Sequence, residues 1–417
     1  MLGKIMTKIS NQTPPTEMTS EQIIDLCRKL AIGFAKRAAK HDREGSFPEE
    51  NFQELKDANL LCIMIPKKNG GMGADFLTYT KALEQIAKGD ASTGLTFNMH
   101  NIAVGSLAEL NIDGIGGSRG KKMNDFINWV YDQAIIHKKL FASASSEPGI
   151  GAHLSKMKTI YKRTDDGFVI NGVKNWVSMA GYADYYVVAA KKEDSTSEVP
   201  AISYLIVEKE NPNARVEFTW DVLGMRATST NPVYFEDCFV PKESLFLGNE
   251  GMALFKVARE PHWLVGGYVG VYLGICTAAF EFLTNYLKNR NIPGTQTPLS
   301  SDSRIQHKVG ELYVKVASAR ASVYRAARLV AEKPGSVEAN TAIHQSKYIV
   351  SELGPSLTSD AIRLCGGSTI AKFMPLERYY RESRCGGLMP ATSDECLLYL
   401  GKAAFGTDLT KPDETYW

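Results

Sequence analysis

The apolar pattern of this chain changes period twice, and nothing else in it restricts the fold as strongly. From about residue 19 to 139 apolar side chains recur at helical spacing, and from about 140 to 248 they gather into short β-branched and aromatic runs. Helical spacing then returns and holds to the end. A chain patterned this way is α+β and multidomain: a helical domain over 19–139, a compact β-domain over 140–248 and a helical bundle over 249–417. Residues 1–18 are polar, carry Pro14-Pro15 and read as a flexible leader.

Within the first domain, Thr19 and Gln22 fit a capping box for a helix whose apolar face is Ile23, Cys27, Leu30, Ala31, Phe34 and Ala38. A second helix is predicted over 49–59. A third runs from Phe76 through Tyr79, Leu83 and Ile86, with Lys88 in its last turn and Gly89 after it. Stretches 91–111 and 122–137 continue the domain. The β-runs are Phe168 to Ile170, Tyr185 to Val188, Ile202 to Val207 and Val233 to Phe235. In the last domain Ile305, Val309, Leu312, Val316, Ala319, Val323, Ala326 and Val330 step by four and three, which puts one helix face in a bundle. Long apolar helices also fit 252–288 and 339–365, the second interrupted at Gly354-Pro355.

At 417 residues and 44% hydrophobic content the chain can bury a large core. A formal net charge of +2 gives no general attraction to nucleic acid or membrane. No apolar run reads as long enough to span a bilayer, and residues 1–19 lack a secretory apolar core. Seven cysteines without a CxxC pair argue against a disulfide framework, so a reduced, cytoplasmic protein is expected. The seven histidines form no HExxH or similar cluster, and no metal site is expected. Gly149, Gly151 and Leu154 do not complete GxGxxG, and no βαβ pattern surrounds them.

Two neighbouring motifs carry chemistry. Ser145-Ser146-Glu147-Pro148-Gly149-Ile150-Gly151-Ala152 is a small-residue loop with hydroxyls and two glycines. One hairpin later comes Asn171-Gly172-Val173-Lys174-Asn175-Trp176-Val177-Ser178. Glycines let backbone N–H groups approach a pyrophosphate, and an indole can lie against an aromatic plane. Together they suit a flat, phosphate-bearing cofactor.

With these residues the chain resembles the acyl-CoA dehydrogenase-like flavoproteins over nearly its whole length. Phe47-Pro48, Leu55, Leu60, Ile65-Pro66 and Gly70-Gly71-Met72-Gly73 resemble the family's N-terminal signature. Gly224-Met225-Arg226, Phe235-Glu236-Asp237 and Val240-Pro241 match a later block, and Arg363-Leu364-Cys365-Gly366-Gly367 another. The resemblance implies a β-barrel or sandwich as the middle domain, a C-terminal four-helix bundle and a homodimer or homotetramer. It also implies FAD, with FMN as the alternative, and an electron-transfer flavoprotein or a flavin reductase as redox partner. By position, Ser146 would meet the flavin pyrimidine edge, and Ala144, Gly151 and Ala152 would lie close to the cofactor. Trp176 would pack on the isoalloxazine, and Ser178 would offer a hydroxyl near its N5. Arg290 matches an arginine that reaches the pyrophosphate of a neighbouring subunit's FAD, a task that suits a planar guanidinium. Gly366 and Gly367 would approach the adenosine end, as would Thr392. Pro293 and Asp302-Ser303 depart from the family's phenylalanine and His-Gln.

Acyl-CoA dehydrogenation takes a proton from Cα while a hydride leaves Cβ, so it needs a carboxylate base and donors to the thioester oxygen. Counting without a gap from Arg381 to Thr392 puts Pro390 where the family's glutamate stands, which removes both the carboxylate and an N–H donor. A shifted register leaves only Asp394 or Glu395. The family's other base position falls near Leu264-Val265, where Glu260 and His262 are the nearest titratable groups. Against a catalytic role stand a charge at a helix N-terminus and a surface imidazole. His100 either lines the substrate pocket or is a satisfied core histidine. Three readings therefore stay open: acyl thioester oxidation with a non-standard base, monooxygenation through a flavin C4a-hydroperoxide, and flavin or acyl binding without turnover.

Overall fold

The computed structural model describes residues 15–110, 112, 114–151, 153–195, 201–253 and 261–411. Of the leader, Pro15–Glu17 forms a short 3-10 turn. The helix α1 (Ser20–Glu44) opens with the expected capping box: the Gln22 N–H donates to the Thr19 hydroxyl, and the Thr19 N–H donates to Gln22 Oε1. Ile23, Cys27, Ala31, Phe34 and Ala38 are buried along its inner face. The helices α2 (Glu49–Asp57), α3 (Phe76–Gly89), α4 (Ala91–Ala108) and α5 (Gly117–Ile135) follow. Gly89, expected beyond α3, lies in its last turn. A Cβ there would stand 2.4 Å from the Ala31 carbonyl oxygen, so the glycine lets α3 close on α1. Asp90 ends α3 and caps α4 by accepting from the Thr93 N–H.

Among the described residues the strands form one seven-stranded mixed sheet. They are β1 (Phe141–Ala144), β2 (Ile160–Arg163), β3 (Gly167–Val177), β4 (Tyr185–Lys192), β5 (Ile202–Glu208), β6 (Ala214–Val216) and β7 (Asn231–Pro241). Both β1 and β2 run parallel to β4 along the same edge, β1 beside Tyr185 to Val188 and β2 beside Lys191 and Lys192. The other edge of β4 belongs to β5. The chain between β1 and β2 thus leaves the sheet after Ala144 and rejoins it at Ile160, which lifts the Ser-Glu-Pro loop clear of the edge. β3 pairs with β7, but its register slips between Lys174 and Val177.

The C-terminal helices are α6 (Pro261–Asn289), α7 (Ser303–Glu332), α8 (Val337–Cys365), α9 (Pro375–Arg384) and α10 (Ser393–Ala404). α8 is central and packs against the other four. Leu312, Val316, Ala319, Val323, Ala326 and Val330 of α7 are buried as the spacing predicts. Two expectations need correction. α8 runs unbroken through Pro355, because Val350, Leu357 and Ala361 are fully buried and their packing outweighs the roughly 3 kcal/mol an internal proline costs. The segment His262–Asn289 is, by length and composition, apolar enough to cross a membrane, yet most of it is buried inside the protein. It is the apolar core helix of the bundle. Helical domain, curled sheet and helical bundle follow one another as the α+β reading predicts.

Candidate functional site

The register slip in β3 builds the site. At Asn175 the strand stops pairing with β7, and the Asn175 N–H donates to the Ser146 carbonyl at 2.8 Å. Trp176 then takes a left-handed φ of 60° and turns outward, 54% exposed. Bulges re-aim side chains in this way. Trp220 meets its ring edge-to-face, with centroids 5.3 Å apart at 83°.

The loop is held from beneath by a buried ion pair. Lys174 Nζ donates to Glu147 Oε1 at 2.7 Å, with side-chain exposures of 0% and 3%. Glu147 also accepts from the N–H groups of Lys158 and Thr159 at 2.7 and 2.9 Å. Burial pushes the Glu147 carboxyl up, but the Lys174 charge and these donors outweigh it and hold it below its ordinary range. Burial lowers the Lys174 ammonium to about 8, against the pull of Glu147.

A cleft of about 520 Å³ opens above this support. Leu95, Met99 and Ile102 of α4 line one side, and Leu264 and Tyr268 of α6 another. Ser145, Ser146, Gly151, Trp176, Ser178, Trp220 and Thr230 contribute the sheet side, and Arg384 to Cys385 with Leu388 to Pro390 close the far wall. The Ser178 hydroxyl lies 3.0 Å from that of Thr230, which lies 2.7 Å from that of Thr228. Gly151 has φ 59° and open space where a Cβ would stand, so its need for glycine is conformational.

No described lining residue is a carboxylate or a histidine. Burial raises the Tyr268 phenol and pushes the Cys385 thiol up to about 11, and Arg384 is a cation. At neutral pH the described lining has no side chain ready to accept a proton.

Ser146, Gly151, Trp176, Ser178 and Pro390, from three distant stretches, therefore share one cleft. Ala144 is buried as the last residue of β1, opposite Val188. Ala152 and Glu260 lie outside the described residues. His262 is not on the surface, as expected, but fully buried: its Nε2 is 2.7 Å from Glu109 Oε2, which also accepts from Trp263 Nε1 at 2.8 Å. It is not among the cleft residues. His100 is a core histidine, bonded to the Leu61 carbonyl and the Phe141 N–H, and burial lowers it to about 4. Arg290, exposed after α6, and Gly366 and Gly367, past α8, stand outside the cleft. Tyr286 joins their surfaces through a 3.1 Å contact with Ser368. Thr392 caps α10, its hydroxyl accepting from the Glu395 N–H and its own N–H donating to Glu395.

Glu147, Lys174, Trp220 and Thr230 were not singled out by sequence. One signal was available: Lys174 follows Phe168 and Ile170 at even spacing on β3, the parity of the buried face.

Residues 17–110, 142–238 and 266–394 match the N-terminal, middle and C-terminal domains of acyl-CoA dehydrogenase. The short-chain specific acyl-CoA dehydrogenase of Rattus norvegicus, a mitochondrial protein, is 33% identical over 384 residues, covering 90% of this chain and 87% of that one. The chain belongs to the acyl-CoA dehydrogenase family and is a flavin-dependent oxidoreductase of that fold. Butyryl-CoA dehydrogenase of Megasphaera elsdenii superposes with a TM-score of 0.78 at 28% identity, over 93% of this chain and 99% of that one. FMN-bound TdsC of Paenibacillus sp. A11-2 shares the fold with a TM-score of 0.81 at 22% identity, over 92% and 97%. Family membership sets aside the non-catalytic reading. The cytoplasmic expectation is also overturned, because the mammalian relatives matched across most of the chain are mitochondrial.

The residues present fit a flavin: a half-exposed indole, a chain of hydroxyls and a glycine-bearing loop, all facing one apolar cleft.

Proposed function

We propose that the flavin ring lies in this cleft against Trp176, with Ser146 and Ser178 as its hydroxyl partners, and that the enzyme oxygenates a mostly apolar substrate. The observation that carries this is the lining, which offers no proton acceptor among the described residues. Desaturation of an acyl thioester needs such a group, and Pro390 stands where the family's glutamate would be. Transfer of oxygen has no such need: one atom of O₂ goes to the substrate and the other leaves as water, with two electrons from the reduced flavin. When bound, the flavin supplies that redox chemistry. The protein's share is to exclude water with Leu95, Met99, Leu264 and Met389 and to orient the ring with Trp176. A flavin reductase is the partner this reading calls for.

A second reading is oxidation of an acyl-CoA thioester, passing electrons to an electron-transfer flavoprotein. The 33% identity to a short-chain specific acyl-CoA dehydrogenase favours it. Glu260 is then the base, and Glu260→Gln abolishes turnover.

FAD is the flavin proposed, with FMN as the rival. Arg290 and Gly367 are exposed, Gly366 is half-buried, and Ile370 and Phe373, close to the glycines in the chain, are 63% and 79% exposed. A second copy in a homodimer or homotetramer would cover such apolar side chains and bring the adenosine end to Arg290. Under this reading Arg290→Ala weakens FAD binding and leaves FMN binding unchanged.

One experiment separates the two reactions. Enzyme loaded with reduced flavin is mixed with ¹⁸O₂ and a substrate panel, and the products are weighed. Incorporation of one labelled oxygen is expected. Anaerobic bleaching of the flavin by an acyl-CoA, with no labelled product in air, overturns oxygenation in favour of desaturation.

A further inference from the structure

Lys347 is fully buried in α8 and has no carboxylate within ion-pair distance among the described residues. Its ammonium instead donates to three backbone carbonyls: Gly386 at 2.7 Å, Ala391 at 3.0 Å and Met389 at 3.3 Å. Three protons meet three acceptors, which satisfies the group. All three carbonyls belong to the short segment whose Leu388, Met389 and Pro390 form the far wall of the cleft. Within the segment the N–H groups of Leu388 and Met389 both turn back to the Cys385 carbonyl, Pro390 has none to offer, and Cys396 Sγ stands 3.8 Å from the Ala391 carbonyl. Lys347 also faces the rings of Tyr268 and Tyr272 at 5.7 and 5.9 Å, and Tyr268 lines the cleft as well. Taking an ammonium out of water costs several kcal/mol, a penalty that leucine or methionine at this helix position would not carry.

We propose that Lys347 is a positioning residue that sets the distance between the Tyr268 wall and the Met389–Pro390 wall, and thereby decides which substrates the cleft accepts. It touches neither flavin nor substrate. It works by fixing the backbone from which the wall side chains project. The proposal rests on the reading of this cleft as the flavin and substrate site.

The test uses the flavin-loaded enzyme, its Lys347→Met variant, which keeps the stem and removes the donors, and Lys347→Gln, which restores an amide donor. Dissociation constants for butyryl-CoA, octanoyl-CoA and indole are read from the shift each causes in the visible band of the bound flavin. Lys347→Met is expected to keep its flavin, since Ser146 and Trp176 are untouched, but to weaken the preferred probe about tenfold and flatten the preference among the three. Lys347→Gln should fall between it and the wild type. Should Lys347→Met fail to fold, Lys347→Gln decides alone, by the same loss of preference. An unchanged order and ratio of the three constants in a variant that has merely lost thermal stability refutes the proposal and leaves the site reading standing. A wild-type enzyme that binds flavin but responds to no probe refutes the site reading, and the role of Lys347 with it.

Discussion

Lys174 Nζ sits 2.7 Å from Glu147 Oε1 beneath the cleft, both side chains closed off from solvent. The pair joins a loop and a strand that lie 27 residues apart, and so makes one site of Ser146 and Trp176.

Removing one partner should therefore be worse than removing both. Lys174→Met strands a buried carboxylate and is expected to cost about 3–5 kcal/mol, whereas Lys174→Met with Glu147→Leu should regain much of that loss. Urea denaturation of the three proteins checks the order. Because the Glu147 carboxyl is held below its ordinary 4.5, its stabilising contribution is full above that value and lost as pH falls through the folded-state pKa. Lys174→Met should remove that acid-side loss.

Glu382 carries the opposite dependence. It is buried within α9, and burial, with Asp90 and Asp42 nearby, raises its carboxyl from 4.5 to about 8 despite Arg378 at 3.7 Å. Between those values the folded chain holds a proton that the unfolded chain releases, so stability falls as pH rises across the window. The slope is at most about 1.4 kcal/mol per pH unit. Denaturation midpoints from about pH 5 to about pH 8 should lose that slope in Glu382→Gln.

Gly89→Ala tests the close approach of α3 to α1. The new Cβ would meet the Ala31 carbonyl oxygen at 2.4 Å and its Cα at 2.8 Å, both rigid backbone. A loss of about 1–3 kcal/mol is expected, although alanine is the better helix former. A rise in Tm would instead mean that the helices part at no cost.

If the flavin ring packs on the Trp176 plane as proposed, Trp176→Ala should weaken flavin affinity by about tenfold or more, while Trp176→Phe keeps most of it. Fluorescence titration with FAD and FMN measures both.

Pro390→Glu places a carboxylate in a cleft whose described lining has none. If the cleft holds an acyl thioester with its α-carbon at this wall, the variant should bleach its flavin with butyryl-CoA faster than the wild type does. Stopped-flow absorbance under anaerobic conditions checks it, and an unchanged rate would falsify that placement of the thioester.

Much of this architecture is local and was legible as such. The capping box at Thr19, the four-and-three spacing of α7 and the β-branched runs in β3, β4, β5 and β7 each act over a few residues. The short strands β1, β2 and β6 carried too little pattern to be read, and their pairing partners supply their order. Pro355 was read as a break because its cost was weighed locally, and the buried Val350, Leu357 and Ala361 around it carry the helix through. The apolar run of α6 is long enough to cross a membrane, and the bundle buries most of it.

The sequence by itself determined the succession of helical, β and helical domains, and it marked the Ser-Glu-Pro loop, the Trp-Val-Ser strand end and the proline at 390 as the places to look. Period and local turn chemistry are properties of neighbouring residues, so they survive in a linear reading. Only the tertiary structure decided that these places share one cleft, that Lys174 and Lys347 are internal cations and not solvated ones, and that the described lining has no proton acceptor. Those outcomes depend on desolvation and on contacts between residues far apart in the chain, and neither exists until the chain has closed on itself.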